Sequence, residues 1–138
     1  MLHGADSAKE GHYDFARLAV ASGLAALCFD LRGHGESEGP LGGGALRDTA
    51  TMAQRGEACE GGPVALRGSS MGGWLALCAA QFVRAAAVVA ICPATGPGLR
   101  HGLRAGRFAF RADAEGFEAL AGEHEEAPLR RGWAGACS

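Results

Sequence analysis

Gly68, Ser70 and Gly72 sit at alternate positions in Gly68-Ser69-Ser70-Met71-Gly72. A serine so flanked can be an acyl-transfer nucleophile. Flanking glycines lack Cβ, so a strand and the following helix can approach closely around a turn too sharp for ordinary backbone. The turn forces the serine into a disfavoured φ/ψ region and projects its hydroxyl clear of the sheet. The start of the next helix then offers backbone N–H groups to developing negative charge. Ser70 is the candidate nucleophile, and Ser69 has the wrong offset from the glycines. The bland alternative is a βα turn whose serine only caps a helix. A phosphate cradle is the other competitor, but the loop lacks the Lys-Ser or Lys-Thr of a P-loop and no G-x-G-x-x-G occurs there.

The elements around the turn suit the nucleophile. Residues 63–66 form a short apolar run before it, and residues 71–82 read as a buried helix after it, with Trp74, Leu75 and Cys78 inside. Upstream, Tyr13, Phe15, Leu18 and Ala19 recur at helical spacing, and Gly23 is a helix stop. Residues 24–29 and 85–91 are further apolar runs of strand length, residues 1–3 could be a strand stub, and residues 45–59 look helical through Leu46, Ala50 and Ala53. Residues 30–44, rich in Gly, Ser and Pro, mark a loop. Short apolar runs between helices imply parallel strands covered on both faces. The fold class expected is α/β, a doubly wound, mostly parallel sheet of about four strands. After Pro93 no strand signal returns. Phe108 and Phe110 suggest an extended piece or an apolar helix face, and residues 112–126 an amphipathic helix using Phe117 and Leu120. Two regions follow, a core over 1–93 and a helical or irregular tail over 94–138.

The 138 residues allow one domain with a sizeable core, and a net charge of −2 favours neither nucleic acid nor an anionic membrane as partner. No run reaches the ~18 apolar residues of a membrane span, and no basic region followed by an apolar stretch predicts a signal peptide. Five cysteines, odd in number and without a C-x-x-C pair, fit a reducing cytoplasm.

Three segments in order carry a resemblance. Leu2-His3-Gly4 resembles the end of the strand bearing the oxyanion loop in the α/β-hydrolase superfamily. Residues 29–37, read Phe-Asp-Leu-Arg-Gly-His-Gly-Glu-Ser, resemble its D-x-R-G-x-G-x-S loop. Gly68-Ser69-Ser70-Met71-Gly72-Gly73 is similar to its nucleophile elbow. The likeness covers roughly residues 1–93 and is nearest to serine-aminopeptidase-like and monoacylglycerol-lipase-like esterases. It implies a serine hydrolase in which Ser70 attacks a carboxylic ester, thioester or small amide and forms an acyl-enzyme. The backbone N–H groups of Ala5 and Met71 would form the oxyanion hole. No metal or cofactor is implied, and the substrate is a small acyl compound. His3 and His34 would be structural, since the base follows the nucleophile in this family. The tail from Thr95 would correspond to a cap.

The sequence departs from the family pattern after Cys92. No apolar strand followed by an acid turn appears, and His101 and His124 are the only histidines beyond Ser70. Asp113, Glu118 and His124 satisfy chain order for a triad, but the polar run at 123–126 reads as a solvated surface. The chain therefore resembles the central portion of a longer hydrolase, and residues 130–138 match no expected element. A catalytically inactive remnant with a hydrolase-like core is the alternative, and an open sheet edge would allow dimerisation.

Overall fold

The computed structural model describes residues 1–125. Glu126 and the segment 130–138 discussed above, with Cys137, lie outside them. A 3₁₀ turn at Lys9–His12 leads into α1 (Tyr13–Ala21); α2 is Ala45–Glu60, β1 Ala65–Ser69, α3 Met71–Ala79, β2 Ala87–Ile91, α4 Gly96–Arg104 and α5 Ala114–Glu123.

Strands β1 and β2 pair in parallel, with Ala65 opposite Ala87 and Ser69 opposite Ile91. Where about four strands were expected, these two alone form a ladder among the described residues. The stub contributes a single parallel bridge, Leu2 to Gly68. It is held by Leu2 N–H to Arg67 O (2.9 Å) and Ser69 N–H to Leu2 O (3.2 Å). Residues 24–29 form no strand; they touch the stub where the Met1 amino group donates to Leu27 O at 2.7 Å. Across the sheet the order is thus residues 24–29, the stub, β1, β2.

Among the described residues the helices bury one face of the sheet and leave the other partly open, where cover on both faces was expected. Leu66 and Gly68 of β1 face α3 and are buried, and Val88 and Ala90 beside them are half-buried. On the opposite face Val89 is 52% and Ile91 38% exposed. Residues 24–29, read as a buried run, leave Leu24 and Leu27 exposed. An apolar run of strand length reports what a segment could bury; whether another element arrives to cover it is a tertiary matter. α1 reaches this second face, where Arg67 of β1 lies over the Phe15 ring at 4.1 Å and meets His12 Nδ1 at 2.7 Å. Phe15, Leu18 and Val20 of α1 nevertheless stay exposed.

The core is built around α3. Met71, Trp74, Leu75, Ala76 and Ala79 are completely buried, with Leu2, Leu31, Leu41 and Leu66 beside them. The same cluster takes in Leu99 of α4 and Phe117, Leu120 and Ala121 of α5. Trp74 and Phe117 meet edge to face at 6.3 Å, and the indole N–H reaches His124 O at 3.3 Å. The residues beyond Pro93 therefore close the core that α3 begins. Helix α4 falls in the tail that was expected to be helical or irregular, although no helix was expected at Gly96-Pro97-Gly98 itself. Thr95 caps it, accepting from Gly98 N–H at 3.2 Å, and proline is tolerated in a first turn. Asp113 caps α5 in the same way. Phe108 and Phe110 lie in the irregular segment between these helices, which a bridge between Leu41 and Ala112 ties down at its end.

Candidate active site

The stub bridges β1 at Gly68, and Gly4 and Ser70 follow at the carboxyl ends of the two segments, side by side. A Cβ built on Gly4 would lie 3.4 Å from Ser70 Cβ and 4.0 Å from its hydroxyl oxygen.

Ser70 has φ 50° and ψ −118°, a conformation that L-residues avoid. Close packing maintains it. A Cβ on Gly68 would stand 2.1 Å from Gly72 O, and one on Gly72 2.2 Å from Leu2 O and 2.4 Å from His3 O. All these obstacles are backbone, so neither position has room for a side chain. The Ser70 backbone is also fully engaged: its N–H donates to Ile91 O (3.0 Å), and its carbonyl accepts from Trp74 and Ala94 N–H at 3.1 and 3.0 Å. The side chain makes no cap bond to α3, and the residue is exposed. A serine that only capped the helix would bond an N–H of the first turn.

Met71 is the first residue of α3, where an N–H has no intrahelical acceptor and the helix dipole favours negative charge. Ala5 lies in a turn directly after Gly4, with Asp6 at φ 53°. His3 holds this turn from beneath. Its ring is buried, Nε2 accepts from Leu31 N–H at 2.9 Å, and Nδ1 donates to Gly4 O at 2.8 Å. Both ring nitrogens are occupied by backbone, which makes His3 a brace.

The loop over residues 30–37 is a network of the same kind. Asp30 accepts from Lys9 N–H and Nζ, both at 2.8 Å, and from Glu36 N–H at 3.1 Å. Burial alone would raise its pKa; the Lys9 ammonium and these donors outweigh it and hold the carboxyl at about 2. Lys9 is correspondingly raised by Asp30 and Glu36. Arg32 grips Asp48 of α2 with two bonds, at 2.5 and 2.7 Å. Ser37 donates to Asp30 O at 2.6 Å. His34 is buried, with Nδ1 3.2 Å from Arg32 O and Nε2 without a partner among the described residues. Burial is the main cause pushing its pKa down. The ring stacks on Phe110 at 4.4 Å and meets His3 edge-on at 4.9 Å.

The downstream titratable residues lie elsewhere. The His124 ring faces Phe82, past the far end of α3, at 6.4 Å. Asp113 is occupied as the cap of α5, and Glu118 pairs with Arg104 at 2.9 Å. Among the described residues no histidine ring bonds the Ser70 hydroxyl, and no group of His, Cys, Asp and Glu could hold a metal ion. No helix among them is long and apolar enough to cross a membrane. Gly4 lies beside Ser70, with Ala5 and Met71 as their chain neighbours, while Asp113, Glu118 and the His124 ring are engaged elsewhere. Sequence reasoning overlooked Asp6, whose Oδ1 accepts from Ala109 and Phe110 N–H at 2.7 and 3.0 Å. An aspartate tolerates the left-handed region better than most residues, but its partners lie more than a hundred positions away, beyond any local signal.

A family model described as alpha/beta hydrolase family matches residues 1–137. No curated protein and no solved structure matched the chain.

Proposed function

Since the chain belongs to the alpha/beta hydrolase family, we propose that it is a serine hydrolase with Ser70 as nucleophile, acting on a carboxylic ester, thioester or small amide. The observation that carries this reading is the Ser70 backbone at φ 50°, ψ −118°, with the residue exposed between β1 and α3. The hydroxyl oxygen attacks the acyl carbon as its proton passes to a base, and the carbonyl oxygen takes up negative charge. The N–H groups of Met71 and Ala5 receive that charge; losing one such donor typically raises a barrier by about 2.7–4 kcal/mol. The leaving group departs with a proton, and water then releases the acid from the acyl-serine. A serine-aminopeptidase-like or monoacylglycerol-lipase-like esterase is the branch proposed, with a cap-like tail over 94–138 whose α4 and α5 also pack against the core of 1–93, and a reducing cytoplasm as its setting. Turnover of p-nitrophenyl acetate tests the reading. A rate that Ser70→Ala abolishes supports it, as does fluorophosphonate attachment to Ser70.

One observation favours a second reading, a hydrolase-like core without catalysis: among the described residues, no histidine bonds Ser70. A clear Ser70-dependent rate eliminates that reading. Replacing His124 by alanine checks the remaining downstream histidine near the core, and loss of the rate would return it to the site.

A further inference from the structure

The turn that presents Ala5 is anchored from one side by the body of the sheet and from the other by the segment between α4 and α5. On the first side, His3 ties Gly4 to Leu31. On the second, a single carboxylate oxygen of Asp6 receives two successive backbone N–H groups, Ala109 at 2.7 Å and Phe110 at 3.0 Å. The adjoining ring of Phe110 stacks on His34, which meets His3. The rest of the segment is tied to the loop below it: Arg111 N–H donates to Gly33 O, and Leu41 N–H to Arg111 O. Asp6 itself adopts φ 53°. An aspartate tolerates that conformation better than most residues, and the two charge-assisted bonds tie it to the Ala109–Phe110 backbone.

We infer that Asp6 is a positioning residue: by clamping the Ala109–Phe110 backbone it sets the direction of the Ala5 N–H, so the segment between α4 and α5 controls the oxyanion hole. The inference rests on the reading of Ala5 as an oxyanion donor. Its physical basis is adjacency. The Ala5 N–H lies in the Gly4–Ala5 peptide plane, whose carbonyl His3 holds at 2.8 Å; Asp6 anchors the residue on the other side of Ala5, so the φ and ψ of Ala5 that join the two ends are confined between two fixed points. A donor aimed wrongly stabilises the transition state less and leaves substrate binding nearly untouched.

Three variants separate the anchor from the backbone conformation. Asp6→Asn keeps an acceptor oxygen and tolerates positive φ. Asp6→Gly keeps positive φ but has no acceptor, and Asp6→Ala has neither. The expected result for p-nitrophenyl acetate is a fall in kcat of roughly tenfold or more in Asp6→Gly and Asp6→Ala, with KM changed less than about threefold. Asp6→Asn should lie within about threefold of wild type. A wild-type rate in Asp6→Gly overturns the inference, as does an Asp6→Asn rate as low as that of Asp6→Ala. A readout independent of turnover is the ¹⁵N order parameter of Ala5 together with amide exchange at Ala109 and Phe110. Asp6→Ala should lower the first and speed the second, and Asp6→Asn should preserve both. An unchanged Ala5 order parameter in Asp6→Ala overturns the inference even if wild type shows no Ser70-dependent rate; that missing rate by itself counts against the functional reading alone.

Discussion

Replacing Ser70 by glycine is expected to stabilise the protein while abolishing turnover. The serine is held at φ 50°, ψ −118°, and such a conformation costs a non-glycine residue of order 1–3 kcal/mol. Glycine adopts it freely but loses more chain entropy on folding, which returns roughly 0.5–1 kcal/mol. The hydroxyl makes no cap bond and the residue is exposed, so its removal costs little. The net gain is about 1 kcal/mol, a rise of a few degrees in Tm for a chain of this size. Ser70→Ala supplies the control, since it lacks the hydroxyl but keeps the Cβ and the strain; it should match wild type within about 0.5 kcal/mol. Urea unfolding followed by circular dichroism measures both variants, as a shift in midpoint at unchanged slope. If Ser70→Gly proves no more stable than Ser70→Ala, strain is not stored at this residue and the reasoning about the elbow fails.

Gly68→Ala should destabilise by about 3 kcal/mol or prevent folding, because its methyl would stand 2.1 Å from Gly72 O. Gly56→Ala, within α2 and with nothing inside 4 Å, should stabilise by roughly 0.5–1 kcal/mol; equal midpoints for the two variants would contradict the packing around the elbow. The pKa of Asp30 is depressed to about 2, so its contribution of about 2 kcal/mol is complete above about pH 4 and is lost as pH falls through 2. Asp30→Asn should flatten that acid limb of a stability–pH curve. His34 has a lowered pKa, so protonation favours the unfolded chain. Stability should fall as pH drops below about 6.5, and His34→Phe should reduce that slope as measured by Tm between pH 7.5 and 5. His12 is lowered too, so part of the slope should survive. Trp74→Ala should cost about 3–5 kcal/mol, since the indole is completely buried against Phe117; a loss under 1 kcal/mol in urea would contradict the central place of α3.

Local chemistry was legible in the sequence wherever a residue's role depends on its neighbours in the chain. The glycine spacing around Ser70 predicted a strand–turn–helix, because only a missing Cβ lets backbone approach backbone at that distance. The helices over Tyr13–Ala21, Ala45–Glu60 and Met71–Ala79 followed from apolar spacing, although α3 ends three residues earlier than the apolar run suggests. What only the tertiary structure decided was which faces are covered and which distant residues meet. Apolar runs predicted about four strands sheathed on both sides. Among the described residues the structure makes a ladder of two and leaves Val89 and Ile91 exposed, since a strand's hydrophobicity cannot say whether a covering element exists. The segment beyond Pro93 read as a separate tail, yet Leu99 and Phe117 complete the core around Trp74. Asp6 reaches Ala109 and Phe110, Lys9 reaches Asp30, and His34 reaches Phe110 through contacts whose sequence separation hides them. A hydrogen bond between distant residues leaves no periodicity or spacing in the chain, because it depends on how whole elements pack and not on the order in which they are joined.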